Sequence, residues 1–237
     1  MLFSKNKKDV LKNKVAIVTG GGRGIGKAIA LALAEHGCNI IITSRTESEL
    51  KNAEKEIESK NVDVLAIKAD ISKLSDVKKV VDESIKKFNR INILVNNAGI
   101  GIYKPFESMD YKEIDSTLDI NLKGLIYSTK ESLPYIKKES YSRIINISSG
   151  LGKVGMKNFA VYCATKFGII GFTESLAREL KNGKVYSVCP GSVDTVLYRK
   201  NFPDSRNFLI DKPEKVAKVV LRLCTSDNVK SGAAIDV

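Results

Sequence analysis

The 237-residue sequence predicts an α/β fold: a doubly wound parallel sheet of about seven strands with helices on both faces. Three observations carry that prediction. From Lys14 onward, short apolar runs alternate with longer amphipathic ones, the rhythm of βαβ units. The short runs are almost continuously apolar instead of alternating, as strands covered on both faces are. A glycine-rich segment joins the first strand to the first helix, at the end of the sheet where open α/β folds hold ligands.

In chain order the predicted strands are VAIVTG (15–20), CNIIITS (38–44), VDVLAIKA (62–69), INILVNN (91–97), RIINISS (143–149) and KVYSVCP (184–190), with AAIDV at the end as a seventh. Each is short and rich in Ile and Val, residues that suit a pleated, buried surface. The helical pattern occupies 25–35, 47–59, 74–88, 111–136, 159–180 and 213–224. No low-complexity linker or internal repeat interrupts it. Residues 14–237 therefore read as a single doubly wound α/β domain, and 1–13 as a basic N-terminal segment.

Composition narrows the function classes. Hydrophobic residues make up 43% and charged residues 28%, a globular balance that argues against disorder. Lys and Arg number 39 against 27 Asp and Glu, a net charge of +12, yet most lysines fall on polar helix faces, as at Lys51, Lys55, Lys78, Lys79, Lys86 and Lys87. No aromatic residues interleave with them, so no nucleic-acid partner is expected. The single histidine, His36, excludes a hydrolase built on two imidazoles and a zinc site built mainly from histidine. Cys38, Cys163, Cys189 and Cys224 form no C-x-x-C pair and read as reduced core thiols, with no metal implied. The N-terminus lacks the apolar stretch of a secretory signal, and nowhere do 18 apolar residues run together. A cytoplasmic protein without membrane contact is the expectation.

The glycine segment is TGGGRGIG (19–26). Glycines at a strand-to-helix junction let the backbone approach a pyrophosphate, while the helix N-terminus offers free N–H groups and a positive dipole end. The spacing, G-x-x-x-G-x-G through Gly20, Gly24 and Gly26, does not satisfy G-x-G-x-x-G. A P-loop register is nearly met by Gly21, Gly26 and Lys27, but Ala28 stands where a magnesium-holding hydroxyl belongs. At the end of the second strand an acidic residue would bond the ribose 2'-hydroxyl of NAD, whereas basic groups would pair with the 2'-phosphate of NADP. The sequence has Ser44 and Arg45 there, and Arg23 in the loop is expected to project toward the same corner, so NADP(H) is the predicted cofactor.

The candidate chemistry lies further on. Tyr162 and Lys166 are four residues apart in a predicted helix, so both project from one face about a turn apart. A lysine cation beside the ring is expected to lower the phenol pKa toward a range useful for proton transfer. The pair alone is unspecific, since about one Y-x-x-x-K is expected by chance at this tyrosine and lysine density. Ser149, thirteen residues before Tyr162, ends a predicted parallel strand.

Together these motifs resemble the short-chain dehydrogenase/reductase family, from Lys14 to the C-terminus. The match includes TGGGRGIG, Asp70, NNAG (96–99), Asn121, the Ser149, Tyr162 and Lys166 set, and PGSVDT (190–195). The pattern is most similar to 3-oxoacyl-[acyl-carrier-protein] reductases. The resemblance implies a Rossmann-type sheet and a catalytic set in which Tyr162 is the general acid. In that set Lys166 binds the nicotinamide ribose and lowers the tyrosine pKa, Ser149 orients the carbonyl, and Asn121 holds a relay water. It implies a cofactor cleft lined by Gly20, Gly22, Arg23, Gly24, Ile25, Gly26, Ser44, Arg45, Asp70, Ile71, Asn97, Ala98, Gly99, Tyr162, Lys166, Pro190, Gly191, Val193 and Thr195. Asp70 would meet the adenine and Thr195 the nicotinamide carboxamide. A small carbonyl or alcohol, free or carrier-bound, is the implied substrate, and a homodimer or homotetramer the implied assembly. Read from its residues alone, Asn121 is equally a mid-helix kink or a buried amide. Three departures from the family pattern stand out: a short 179–185 stretch, a brief 196–211 lid carrying Tyr198, Arg199, Phe202, Arg206 and Phe208, and a chain end at Val237. The competing class is a nucleotide-sensing or interaction protein on the same fold, which would not need Asn, Ser, Tyr and Lys together.

Overall fold

The computed structural model describes residues 10–205 and 210–237. Among them, seven strands form one sheet: β1 (Val15–Thr19), β2 (Asn39–Ser44), β3 (Val64–Lys68), β4 (Ile93–Asn96), β5 (Arg143–Ile147), β6 (Lys184–Cys189) and β7 (Ala234–Asp236). They lie in the order β3-β2-β1-β4-β5-β6-β7, every neighbouring pair parallel. Winding runs outward in both directions from β1 and β4. The crevice beyond their carboxyl ends is thus the topological switch point, where such sheets bind ligands.

The helices are α1 (Gly24–Ala34), α2 (Glu47–Glu58), α3 (Leu74–Phe88), α4 (Tyr111–Leu118), α5 (Gly124–Ile136), α6 (Ala160–Glu179), α7 (Val196–Asn201) and α8 (Pro213–Thr225). Both faces of the sheet are sealed. Ile29 and Leu33 of α1 and Val216, Val220 and Leu223 of α8 pack with Ala16, Val18, Ile40 and Ile42 on one side. Val80 and Val81 of α3, Ile136 of α5 and Leu176 of α6 pack with Val15, Ile17, Ile41 and Leu94 on the other. This two-sided burial explains why the strands read as unbroken apolar runs. Cys38, Cys163, Cys189 and Cys224 are buried and unpaired.

Two elements depart from the sequence reading. The expected helix over 111–136 is α4 and α5 joined by one π-helical turn, Asp119–Lys123, which holds Asn121. Such a turn admits one extra residue and re-aims side chains, a feature frequent at functional sites. The lid stretch contains α7, only six residues long and therefore without detectable periodicity. Arg206 and Phe208 lie outside the described residues, as does 1–9 of the N-terminal segment. The described end of that segment is not detached: Leu11 is 1% exposed within the core, and its N–H donates to His36 O at 2.9 Å. The lone histidine turns its own Nδ1 to Ala32 O at 2.8 Å, a local contact at the end of α1.

Candidate active site

A cavity of about 710 Å³ runs along the carboxyl ends of the central strands, from Arg45 and Asp70 at one end to Tyr162 and Phe202 at the other. Of the predicted cofactor residues, Gly26 alone stays off its wall, as does Asn121 of the catalytic set. Gly26 works from beneath. A Cβ there would lie 2.2 Å from Gly20 O and 2.5 Å from Asn97 Nδ2, so the loop closes on its own backbone only because this residue is glycine. Gly20 (φ +66) and Gly24 (φ +54) take left-handed conformations that L side chains rarely adopt. Asn97 secures the loop by donating from Nδ2 to Thr19 O at 2.9 Å and Gly20 O at 3.3 Å. The N-terminus of α1, with no acidic residue in its first turn, faces this loop. The bare glycine cradle, the helix start and the elongated cavity fit a dinucleotide.

At the adenosine end the geometry adds a group that sequence reasoning missed. Arg23 does reach the corner, but its Nη1 lies 2.7 Å from Glu49 Oε1. Glu49 stands in the first turn of α2 and lines the cavity with Ser44, Arg45 and Thr46. A Cβ on Gly22 would meet both Ser44 Oγ and Glu49 Cβ at 3.2 Å, so loop, strand end and helix converge tightly. A glutamate five residues beyond the strand end was the available signal, obscured by its ordinary role as a helix-start acid. Ser44 Oγ accepts from Thr46 N at 3.2 Å, shaping the turn into α2. Burial raises the Asp70 carboxyl, but hydrogen bonds from Ser72 and the positive charges of Arg45 and Lys73 outweigh it and hold the group below its usual value.

At the opposite end, Ser149, Tyr162 and Lys166 converge. Ser149 hydrogen-bonds Tyr162, and Lys166 Nζ lies 5.4 Å from the centre of the phenol ring. Lys166 donates to Ile147 O at 2.9 Å. Neighbouring Ser148 spends its hydroxyl on Lys166 O at 2.8 Å, which ties α6 to the end of β5 and leaves Ser149 as the serine beside the tyrosine. The electrostatics correct the expectation of a depressed phenol. Burial pushes Tyr162 up to about 12, with the Ser149 hydrogen bond opposing, and burial pushes Lys166 down to about 8. Desolvation sets both shifts: Lys166 is buried, and Tyr162 is largely covered at the cavity wall.

Asn121 combines the kink and the buried amide. It sits in the π turn, 1% exposed, its Oδ1 accepting from Ile100 N at 2.8 Å and its Nδ2 donating to Ile100 O at 2.9 Å and Thr165 Oγ1 at 3.2 Å. Thr165 in turn donates to Tyr162 O at 2.7 Å, so the asparagine side chain braces the tyrosine's helix against the strand-end loop. Thr195, expected against the nicotinamide, lines the cavity and also caps α7 by accepting from Tyr198 N at 3.2 Å.

The lid end is apolar and braced. Phe159, Tyr162 and Phe202 stack with Tyr103 and Tyr198, with neighbouring ring centroids 5.1 to 5.9 Å apart. Asn201, unnoticed in the sequence, joins α7 to the segment after β4. It accepts from Tyr103 N at 2.9 Å and donates to Gly101 O at 3.0 Å.

Comparison with known proteins agrees with this geometry. The family model described as short chain dehydrogenase matches residues 14–206. A 3-oxoacyl-[acyl-carrier-protein] reductase of Aquifex aeolicus is 37% identical over 229 residues, 91% of each chain. One of Staphylococcus aureus is 40% identical over 183 residues, 76% of this chain and 74% of that one. An uncharacterized oxidoreductase of Staphylococcus aureus is 34% identical over 218 residues, covering 91% and 93%. The crystal structure of levodione reductase superposes with a TM-score of 0.88 over 95% of this chain and 96% of that one, at 25% identity. The cavity at the switch point, the glycine loop beneath it and the serine, tyrosine and lysine at its end accord with these matches, and the chain belongs to the short chain dehydrogenase family.

Proposed function

We propose that this protein is an NADPH-dependent carbonyl reductase, with a 3-oxoacyl thioester as the leading substrate class. Membership of the family makes it an oxidoreductase acting on CH–OH groups with a nicotinamide cofactor. The observation that carries the finer reading is the meeting of Ser149, Tyr162 and Lys166 at one end of a cavity whose other end holds Arg23 and Arg45. The nicotinamide, when bound, supplies the hydride. The protein's part is to place a carbonyl oxygen between Ser149 and Tyr162 and to deliver a proton to it from the phenol. A phenol pushed up to about 12 is fully protonated at neutral pH, the state a general acid needs. Lys166, charged below about 8, stabilises the phenolate left behind. The thioester class is supported by the two reductase relatives and by the apolar ring wall beside Tyr162. Assay of acetoacetyl thioesters against a panel of ketones, aldehydes and sugars, read by NADPH absorbance, tests it. Turnover of none of them overturns the enzyme reading.

The lysine titration sets a pH profile. Lys166 is cationic below about 8 and neutral above, so carbonyl reduction is expected to be level on the acid side and to decline as pH rises past about 8. The inflection should vanish in Lys166→Ala, whose residual rate is low throughout. A wild-type profile that climbs through that range would contradict the proposed use of the charge.

Cofactor preference is the next expectation. Two charge-assisted bonds from Arg23 and Arg45 would favour NADPH by roughly tenfold or more after solvent screening. Ser44→Asp should shift the ratio of kcat/KM values toward NADH by opposing the 2'-phosphate. Aspartate can still accept from Thr46 N, so the turn survives. Equal efficiency in the unmodified protein would show that the arginines serve another purpose.

The assembly is proposed to be a homo-oligomer joined through α4, α5 and α6. Leu118, Ile126 and Phe167 on these helices are 37 to 46% exposed, and Tyr111 is 85% exposed. Light scattering that returns 26.0 kDa at micromolar concentration would refute it.

A further inference from the structure

The corner that would meet a 2'-phosphate holds one more charge than the cofactor reading requires. Arg23 and Glu49 are 2.7 Å apart, and the carboxylate faces the same cavity as Ser44 and Arg45. Any phosphate close enough to bond Arg23 is therefore close enough to be repelled by Glu49. A ribose hydroxyl in the same place meets the opposite circumstance, because it can donate to the carboxylate. Arg45 is offset in turn by Asp70, whose carboxyl it helps to hold below its usual value. Each arginine at this corner thus has an acidic neighbour.

We infer that Glu49 is a specificity-determining residue for the cofactor: it holds Arg23 in an ion pair that a 2'-phosphate must exchange, and so limits the preference for the phosphorylated dinucleotide. This rests on reading the cavity as a dinucleotide site. The pair is suited to exchange. Arg23 is 57% exposed and Glu49 28%, a range in which ion pairs contribute little and swap partners readily. Glu49 also sits on the first turn of α2, so its backbone is fixed and the carboxylate cannot retreat far from the loop.

The test is binding, not turnover. Glu49→Gln keeps the shape and a hydrogen-bond acceptor while removing the charge. Dissociation constants would be measured for NADPH and NADH by fluorescence titration. Adenosine 2',5'-bisphosphate and 5'-AMP, which carry no nicotinamide, would be measured by calorimetry. The expected result is that NADPH and the bisphosphate tighten about fivefold while NADH and 5'-AMP do not tighten. Glu49→Ala, checked by thermal unfolding, should move in the same direction. In an Arg23→Ala background Glu49→Gln should still tighten the bisphosphate, because the repulsion between carboxylate and phosphate survives the loss of the guanidinium, and no tightening there overturns the inference. A ratio of NADPH to NADH affinity unchanged within twofold, or lowered, overturns the inference. Should the unmodified protein prefer NADH while Glu49→Gln still raises the ratio, the NADPH reading falls and the role of Glu49 stands.

Discussion

Tyr162→Phe is expected to lower kcat for carbonyl reduction by at least a hundredfold while leaving the NADPH dissociation constant within about twofold of the unmodified value. The substitution removes one hydroxyl and nothing else. The ring remains packed 5.1 Å from that of Phe159, so the wall of the cavity keeps its shape. What disappears is the proposed proton donor, and with it the partner of the Ser149 hydroxyl. Ser149 cannot replace it, since an unaided serine hydroxyl is a much weaker acid than a phenol. Lys166→Ala makes the informative contrast. Its ammonium lies beside both the phenol and the cavity wall at Gly99, so both kcat and cofactor affinity should drop. Steady-state rates paired with NADPH fluorescence titration separate the two. A Tyr162→Phe enzyme retaining a tenth of the activity would assign the proton to another group.

The fold was legible because its strands are buried on two faces and its helices on one, so the period of the apolar pattern changes at each boundary. The meeting of the proposed catalytic trio was legible for a related reason: Tyr162 and Lys166 are bound by helical spacing, and Ser149 by its place at a strand end. Contacts between distant segments were not. Glu49 reaches Arg23 across 26 residues, and Asn201 reaches Gly101 across 100, and neither partner marks the other in a single sequence. The phenol pKa escapes a helical wheel, which shows that lysine is near but not that the ring is desolvated. Burial contributes the larger effect and reverses the sign. For Asn121 the spacing left a kink and an amide bond as alternatives, and the π turn supplies both.

Gly26→Ala is expected to cost about 3 kcal/mol of stability, a fall of roughly 10 °C in Tm for a domain of this size, and to weaken NADPH binding at least tenfold. The added methyl would lie 2.2 Å from Gly20 O, 2.5 Å from Asn97 Nδ2 and 2.8 Å from Gly20 C. Two of those atoms are backbone and cannot rotate away, so the loop itself must move. It is held from two sides: Gly21 N donates to Thr43 O at 3.1 Å, and Asn97 bonds the carbonyls of Thr19 and Gly20. Moving it breaks those bonds and lifts Gly22 and Arg23 out of register with Ser44 and Glu49. The stability loss and the affinity loss therefore share one cause, although Gly26 contributes no atom to the cavity wall. Gly155→Ala provides the comparison, since nothing lies within 4 Å of its added Cβ and its φ is not in the left-handed region. Thermal unfolding with and without NADPH distinguishes the two glycines. If Gly26→Ala unfolds within 2 °C of the unmodified protein and binds NADPH as tightly, the close approach of the loop to itself is not what shapes the site.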